Sequence, residues 1–368
     1  MIKTIVIFSN PFGYGPTGHA ISVAQAFLKK LKEVKVLFAC GSMCHEILPT
    51  SITSVFVDER SQESIEGLLA KIDKPFVIGS QNRFCIKAAR KLGIPCAFID
   101  PLAWFWREIP DEHLLANEIF WINYPGIENK LLKSRSNIHL IRGIASTTPK
   151  ILKRDDKLLI HLGGAKYPLV SDLPKNYLRL TARCLNKIAQ VNSYRRILLV
   201  SSADVVNYFK SLPIENGVEY VTFKHDQFIL EVATARHLMS VAGMSSTLEA
   251  FSSMTPISFL LPLNLSQIGL TNILKPLGAC PQMLSWESYL AVEDNLTSLS
   301  ERDGIAKINK YALDVLETPA LLERLMEDML EMANRPAPID GQSHIVKMIG
   351  LGGEDDLVDI LTRRWGLQ

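Results

Sequence analysis

Residues 238–250 read Leu-Met-Ser-Val-Ala-Gly-Met-Ser-Ser-Thr-Leu-Glu-Ala. Leu238 to Val241 form a short apolar run, which reads as a buried strand. Beyond Gly243 the pattern turns helical, toward Phe251. A strand that ends in glycine and enters a helix through Ser245, Ser246 and Thr247 gathers several backbone N–H groups at one point. Those groups and the helix dipole favour an anion such as phosphate. Glu249 follows on the same helix, placed for its two oxygens to accept from a neighbouring diol. The same letters also describe an ordinary helix start, and the surrounding chain decides between the readings.

Upstream, apolar runs alternate with helical patterns. Strands are expected at 3–9, 34–39, 54–58, 75–79, 95–100, 118–123 and 137–141, with a first helix from Ala20 to Leu31. Residues 142–156, with Thr-Thr-Pro and four basic side chains, break the rhythm and read as a linker. It then restarts, with strands at 157–164, 196–202, 218–223, 237–241 and 256–262. Strands separated by helices of about 10–15 residues mean parallel sheets, buried on both faces. The expected class is α/β, with two Rossmann-like domains facing a cleft. Their expected bounds are 1–150 and 151–340. A helical tail over 341–368 is expected to pack back on the first domain.

Composition agrees with two ordinary cores. The chain has 368 residues, 47% hydrophobic and 21% charged. A formal net charge of +2 gives no bulk field for nucleic acid. No apolar run reaches the ~18 residues of a membrane span. The six cysteines are scattered and read as reduced thiols of a cytoplasmic protein. Cys40, Cys44 and His45 are close but lack the second pair that a metal site needs.

Gly13, Gly15 and Gly18 match the spacing of a dinucleotide loop. The second strand, however, ends Phe38-Ala39-Cys40-Gly41, without the carboxylate that would hold a ribose. His19 follows, at the mouth of the first helix, where a neutral imidazole suits a general base. Asp100, at the end of another strand, is the candidate to orient it. The bland alternative is that His19 caps the loop and Asp100 starts a turn. Trp104, Phe105 and Trp106 follow Asp100, either as a platform for an acceptor or as a satellite core.

In the second half, Gly163 and Gly164 follow a strand and let backbone approach a phosphate that Lys166 neutralises. The turn with Phe223 and His225 suits a nucleobase edge. Gln267 and Asn272 offer amide donors and acceptors to sugar hydroxyls.

The segments GPTGHAISVA, HLGGAKYP, FKHDQFILEVATARHLMSVAGMSSTLEA and PISFLLPLNLSQIGLTNILKPLGA, in that order, resemble GT-B glycosyltransferases of the MurG type. The resemblance spans most of residues 3–285. It implies a nucleotide-sugar donor, UDP-linked, bound by the second domain and an acceptor bound by the first. It matches Thr17, Gly18 and His19 to the family's first loop, beside which Gly15 is a further candidate acceptor contact, and Gly163 and Gly164 to its glycine-rich donor loop. It places Glu249 at the ribose and Gln267 and Asn272 at the donor sugar, beside the phosphate seat already read at Gly243, Ser245, Ser246 and Thr247. No cofactor and no metal are implied beyond the co-substrate. The middle of the first half lacks lipid-acceptor features, so a small-molecule acceptor is expected. A nucleotide-sugar hydrolase or 2-epimerase, or a non-catalytic nucleotide-binding protein, are the alternatives.

Overall fold

A computed structural model describes residues 2–106, 108–127, 135–146, 153–167, 172–191, 194–213, 217–292 and 296–367. The chain divides into two compact units, one of residues 1–147 with 348–368 and the other of 148–347. Residues 147–152 of the expected linker lie outside the described residues.

The first unit carries β1 (Thr4–Ser9), α1 (Gly15–Lys30), β2 (Lys35–Cys40), α2 (Ser42–Ile47), β3 (Ser54–Phe56), α3 (Gln62–Leu69), β4 (Pro75–Ser80), α4 (Arg83–Lys91), β5 (Cys96–Asp100), β6 (Glu118–Ile122) and β7 (Ile138–Ile141). All pairings are parallel, in the order β3-β2-β1-β4-β5-β6-β7. Every residue of β1, β5 and β6 is buried, which is why the centres of these strands read as apolar runs. Val6, Phe8, Val77, Phe98, Ile119 and Trp121 meet Ile65, Leu69 and Ile86 in one cluster.

The second unit holds β8 (Asp155–His161), α5 (Lys175–Val191), β9 (Arg196–Val200), α6 (Ala203–Lys210), β10 (Val218–Val221), α7 (His225–Thr234), β11 (Ala235–Ser240), α8 (Met244–Ser252), β12 (Ile257–Phe259) and α9 (Leu265–Leu274). Helices α10 (Glu301–Glu317), α11 (Pro319–Asn334) and α12 (Asp340–Ile349) follow. Its sheet, again parallel, runs β10-β9-β8-β11-β12, the same winding as the first five strands of the other unit. In such sheets the crevice opens where the winding reverses, beyond the carboxyl ends of the strands. That is between β1 and β4 in the first unit and between β8 and β11 in the second.

One arginine fixes the second unit's helix ends. Arg154 donates to the carbonyls of Ala233, Ser253 and Met254 at 2.7–2.9 Å and to Thr255 Oγ1 at 2.9 Å. It thereby satisfies acceptors that the last turns of α7 and α8 leave open.

The final helix, α13 (Gly353–Trp365), belongs to the first unit. Leu357, Val358 and Leu361 on it are fully buried, roughly 2 kcal/mol each. Arg142 pairs with Asp356 at 2.7 Å and Lys30 with Asp359 at 2.8 Å. At the other end Arg364 and Trp365 both donate to Glu118 Oε1, at 2.7 and 3.1 Å, and Trp365 meets the Phe76 ring edge-on.

Two expectations need correction. The first helix begins at Gly15, not Ala20, so Gly15, Thr17 and Gly18 form its first turn rather than a loop. Pro16 explains this, since its fixed φ and missing N–H suit that turn. Helix α2 was not expected, because its six residues are too few to show a period.

Candidate anion seat and acid–base residues

At the reversal point of the second sheet two turns stand side by side. Strand β8 runs out into Leu162-Gly163-Gly164, and Gly163 has φ +61°, a left-handed conformation that favours glycine. Ser201 Oγ donates to the Gly163 carbonyl at 2.7 Å and Ser202 Oγ to that of Gly164 at 2.8 Å. These serines, at the end of β9, fix the loop. The sequence reading missed them, although Ser-Ser closing an apolar run was a visible signal. The other turn follows β11, where Val241 N donates to the His161 carbonyl at 3.0 Å. A Cβ built on Gly163 would lie 4.0 Å from Val241 Cγ2, so the loops are neighbours.

Helix α8 starts at this point. Gly243 is its N-cap and no side chain caps it. Helices of this kind normally carry Ser, Thr, Asp or Asn there. Ser246 Oγ turns back to the Gly243 carbonyl at 3.3 Å, and Ser245, Ser246 and Thr247 are buried. Lys166 is half-exposed and paired with Asp204 at 2.5 Å, so its charge is already countered.

Beneath the turn, His161 Nδ1 lies 3.1 Å from Ser240 Oγ, which itself donates to the Val241 carbonyl at 2.8 Å. The hydroxyl proton is therefore committed, and His161 carries its own on Nδ1. Burial pushes this imidazole down to about 3.

Glu249 is not the open carboxylate that a ribose contact suggests. It is 2% exposed, and its Oε1 lies 3.3 Å from Nε2 of buried His225, at the start of α7. Burial pushes Glu249 up to about 8 and His225 down to about 4. At neutral pH the pair is a carboxylic acid beside a neutral imidazole. The 3.3 Å spacing fits, since charge-assisted contacts are about 2.7–2.9 Å. A raised carboxyl pKa gives stability that is complete below the ordinary 4.5 and lost as pH rises through about 8. Between pH 7 and 9 this loss is about 1.4 kcal/mol. The melting temperature is expected to fall over that interval, and Glu249→Gln to remove that share of the fall. Identical pH profiles for the two proteins would mean that the carboxyl ionises freely.

Of the two amides expected to meet the donor sugar, one is engaged within the fold. Gln267 Oε1 accepts from Leu263 N at 2.7 Å, and Asn264 Oδ1 caps α9 by accepting from Gln267 N at 2.9 Å. Glu301 adds a carboxylate to the same helix start, at 3.3 Å from Leu265 N. Asn272 faces solvent on α9. Phe223 is half-buried in the turn before α7.

In the first unit Thr17 is fully buried, its hydroxyl 3.1 Å from Ser9 Oγ and 3.2 Å from Cys44 Sγ. Its hydroxyl is tied into its own fold. His19 is 2% exposed and both its ring nitrogens are shielded from solvent. Asp100 does hold a histidine, but it is His113. His113 Nδ1 and Trp106 Nε1 lie 3.0 and 2.9 Å from Asp100 Oδ2, and Leu102 N donates to Oδ1 at 2.9 Å. Trp104 packs against Phe105 and Tyr124, with ring centres 5.7 and 5.9 Å apart. The aromatic loop is thus half-buried and internally stacked.

No family model matches the chain, and no curated protein sequence matches it. Solved structures do match. A co-structure of S. aureus MnaA with UDP has a TM-score of 0.54 at 13% identity, covering 100% of this chain and 98% of that one. A Listeria monocytogenes structure assigned as a UDP-N-acetylglucosamine 2-epimerase also gives 0.54, at 12% identity and 100% and 98% coverage. The spinosyn forosaminyltransferase SpnP gives 0.53, at 13% identity and 98% coverage of each chain. Likeness at such identities speaks to the fold. Two Rossmann-like units wound in this order define the GT-B fold, the class expected from the sequence. Among the described residues no helix is long and apolar enough to cross a membrane.

Proposed function

We propose that the protein is a glycosyltransferase that moves a sugar from a UDP-linked donor to a hydroxyl or amine of a small acceptor. The observation that carries this reading is the side-by-side placement of the Gly163 turn and the start of α8, which has no side-chain cap. A helix start left open beside a glycine turn at the reversal point of a parallel sheet suits a diphosphate. The structural likeness to MnaA, solved with UDP, favours uridine.

In this reading the acceptor oxygen attacks the anomeric carbon from the side opposite the leaving diphosphate, so the configuration inverts. Charge growing on the diphosphate is met by the dipole of α8 and by backbone amides of the Gly163 turn. A thermal-shift screen over UDP, UDP-glucose, UDP-N-acetylglucosamine and thymidine diphosphate tests it. A ligand at 100 times its Kd should stabilise the fold by about 2.7 kcal/mol. If no nucleoside diphosphate shifts the transition, the reading fails.

The likeness to a structure assigned as a 2-epimerase supports a second reading, chemistry on the donor alone. Conversion of UDP-N-acetylglucosamine without any acceptor, followed by proton NMR of the sugar, separates the two.

A further inference from the structure

We propose that Glu301 restricts the donor to uncharged sugars: its carboxylate holds the start of α9, beside the diphosphate seat, and repels a sugar that carries an acid group. The inference rests on the transferase reading, names the class of its donor, and lies wholly within the second unit.

Two helix starts stand next to each other at the carboxyl edge of this unit's sheet, and they differ. Strand β12 pairs with β11, and Leu260 N donates to the Ser240 carbonyl at 2.9 Å, so the chain entering α9 runs beside the chain entering α8. The α8 start has no side-chain cap. At α9 the Leu265, Ser266 and Gln267 amides are all taken by side chains. Asn264 Oδ1 accepts from Gln267 N at 2.9 Å, and the Glu301 carboxyl accepts from Leu265 N at 3.3 Å and from Ser266 N. The dipole of α9 already has its anion, and the protein supplies it. A ligand's negative charge is therefore welcome at α8 and unwelcome at α9.

Glu301 is held where it stands. It opens α10, whose N-cap Ser300 accepts from Asp303 N at 3.2 Å. One turn on, Gly304 lies so close to α9 that a Cβ there would be 2.5 Å from Leu265 Cγ. The missing side chain lets α10 press against the start of α9 and keeps the carboxyl over it. Asn264 Nδ2 in turn donates to Tyr167 Oη at 3.3 Å, and Tyr167 is the third residue after Gly164. A single side chain thus spans the gap from the glycine turn to the α9 start.

Charge then selects the sugar. Uridine adds no charge beyond its phosphates, so in a UDP-linked donor a second negative charge can only sit on the sugar. On the β12 side of the diphosphate that group meets Glu301. Lys166, the cation of the glycine turn, is paired with Asp204 and does not offset it. A neutral sugar fares better, because a carboxylate has roughly four acceptor positions and backbone uses two of them here. Sugar hydroxyls can donate to the others.

The test is calorimetric titration with UDP, UDP-glucose, UDP-N-acetylglucosamine and UDP-glucuronate. Burial pushes the Glu301 carboxyl up to about 7, so binding is measured at about pH 8.5, where it is ionised. The wild type is expected to bind the tighter of the two neutral donors at least about tenfold better than UDP-glucuronate, as one like charge within about 10 Å gives at an effective dielectric constant near 20. Glu301→Gln keeps an acceptor for α9 and should bring the affinities within about threefold, by tightening UDP-glucuronate. High salt should narrow the wild-type preference in the same direction. Equal affinities in the wild type overturn the inference without any variant, and so does an unchanged preference in a folded Glu301→Gln. If UDP itself does not bind, the transferase reading falls and takes this inference with it.

Discussion

Gly243→Asp is expected to give a protein that is more stable and yet binds UDP at least 100-fold more weakly. Gly243 is the N-cap of α8, with φ −93° and ψ 139°, which any residue adopts. A Cβ there meets only the Ser246 hydroxyl, at 3.1 Å, and that hydroxyl can turn away. Asp is among the favoured N-caps, and its carboxylate satisfies first-turn amides, for a gain of several tenths of a kcal/mol. The same charge then occupies the seat proposed for the diphosphate. Two like charges about 4 Å apart repel by about 4 kcal/mol at an effective dielectric constant near 20. Calorimetric titration with UDP and a melting curve on one sample give both signs. A variant that keeps wild-type affinity would move the diphosphate away from α8.

Gly353→Ala is expected to destabilise the first unit by about 3 kcal/mol, a drop in melting temperature of roughly 6–12 °C. Gly353 opens α13 and donates to the Gly143 carbonyl at 3.0 Å. A Cβ on it would stand 2.0 Å from the Arg142 carbonyl oxygen and 2.8 Å from its carbon. Both neighbours are backbone, so relief requires the helix to move off the sheet. Gly67, in α3, is the control, because a Cβ there meets nothing within 4 Å. Gly67→Ala should instead stabilise by about 0.5–1 kcal/mol. Equal melting temperatures for the two variants would show that α13 is not held at this contact.

Much of this architecture was readable before any coordinates, for a physical reason. Parallel strands covered on both faces carry an apolar run at their centre, so β1, β5, β6 and the Leu158–Ile160 stretch of β8 announce themselves. The glycine turns at 163 and 243 were legible because a strand ending in glycine before a helix has few other uses. The polar side chains were far less so. Gln267 was read as a ligand group, but a helix start needs acceptors of its own, and a nearby amide supplies one sooner than it serves a sugar. Thr17 went the same way, into a buried knot with Ser9 and Cys44. Asp100 reads as the carboxylate that orients His19, but the histidine it holds lies 13 residues onward, in a short 3-10 helix (Asp111–Leu115). Pattern shows where a loop must be; it does not say which side chain the loop brings back.

The first unit is discontinuous: its sheet is complete at Ile141, but its closing helix lies beyond residue 348. On the ribosome, roughly 10–40 s of synthesis separate the two, at about 5–20 residues per second. Over that interval the second unit can fold while Glu118 and Phe76 wait without Arg364 and Trp365. The part of the molecule that is born first therefore matures last, and a nascent chain stalled before α13 would expose an unfinished apolar flank.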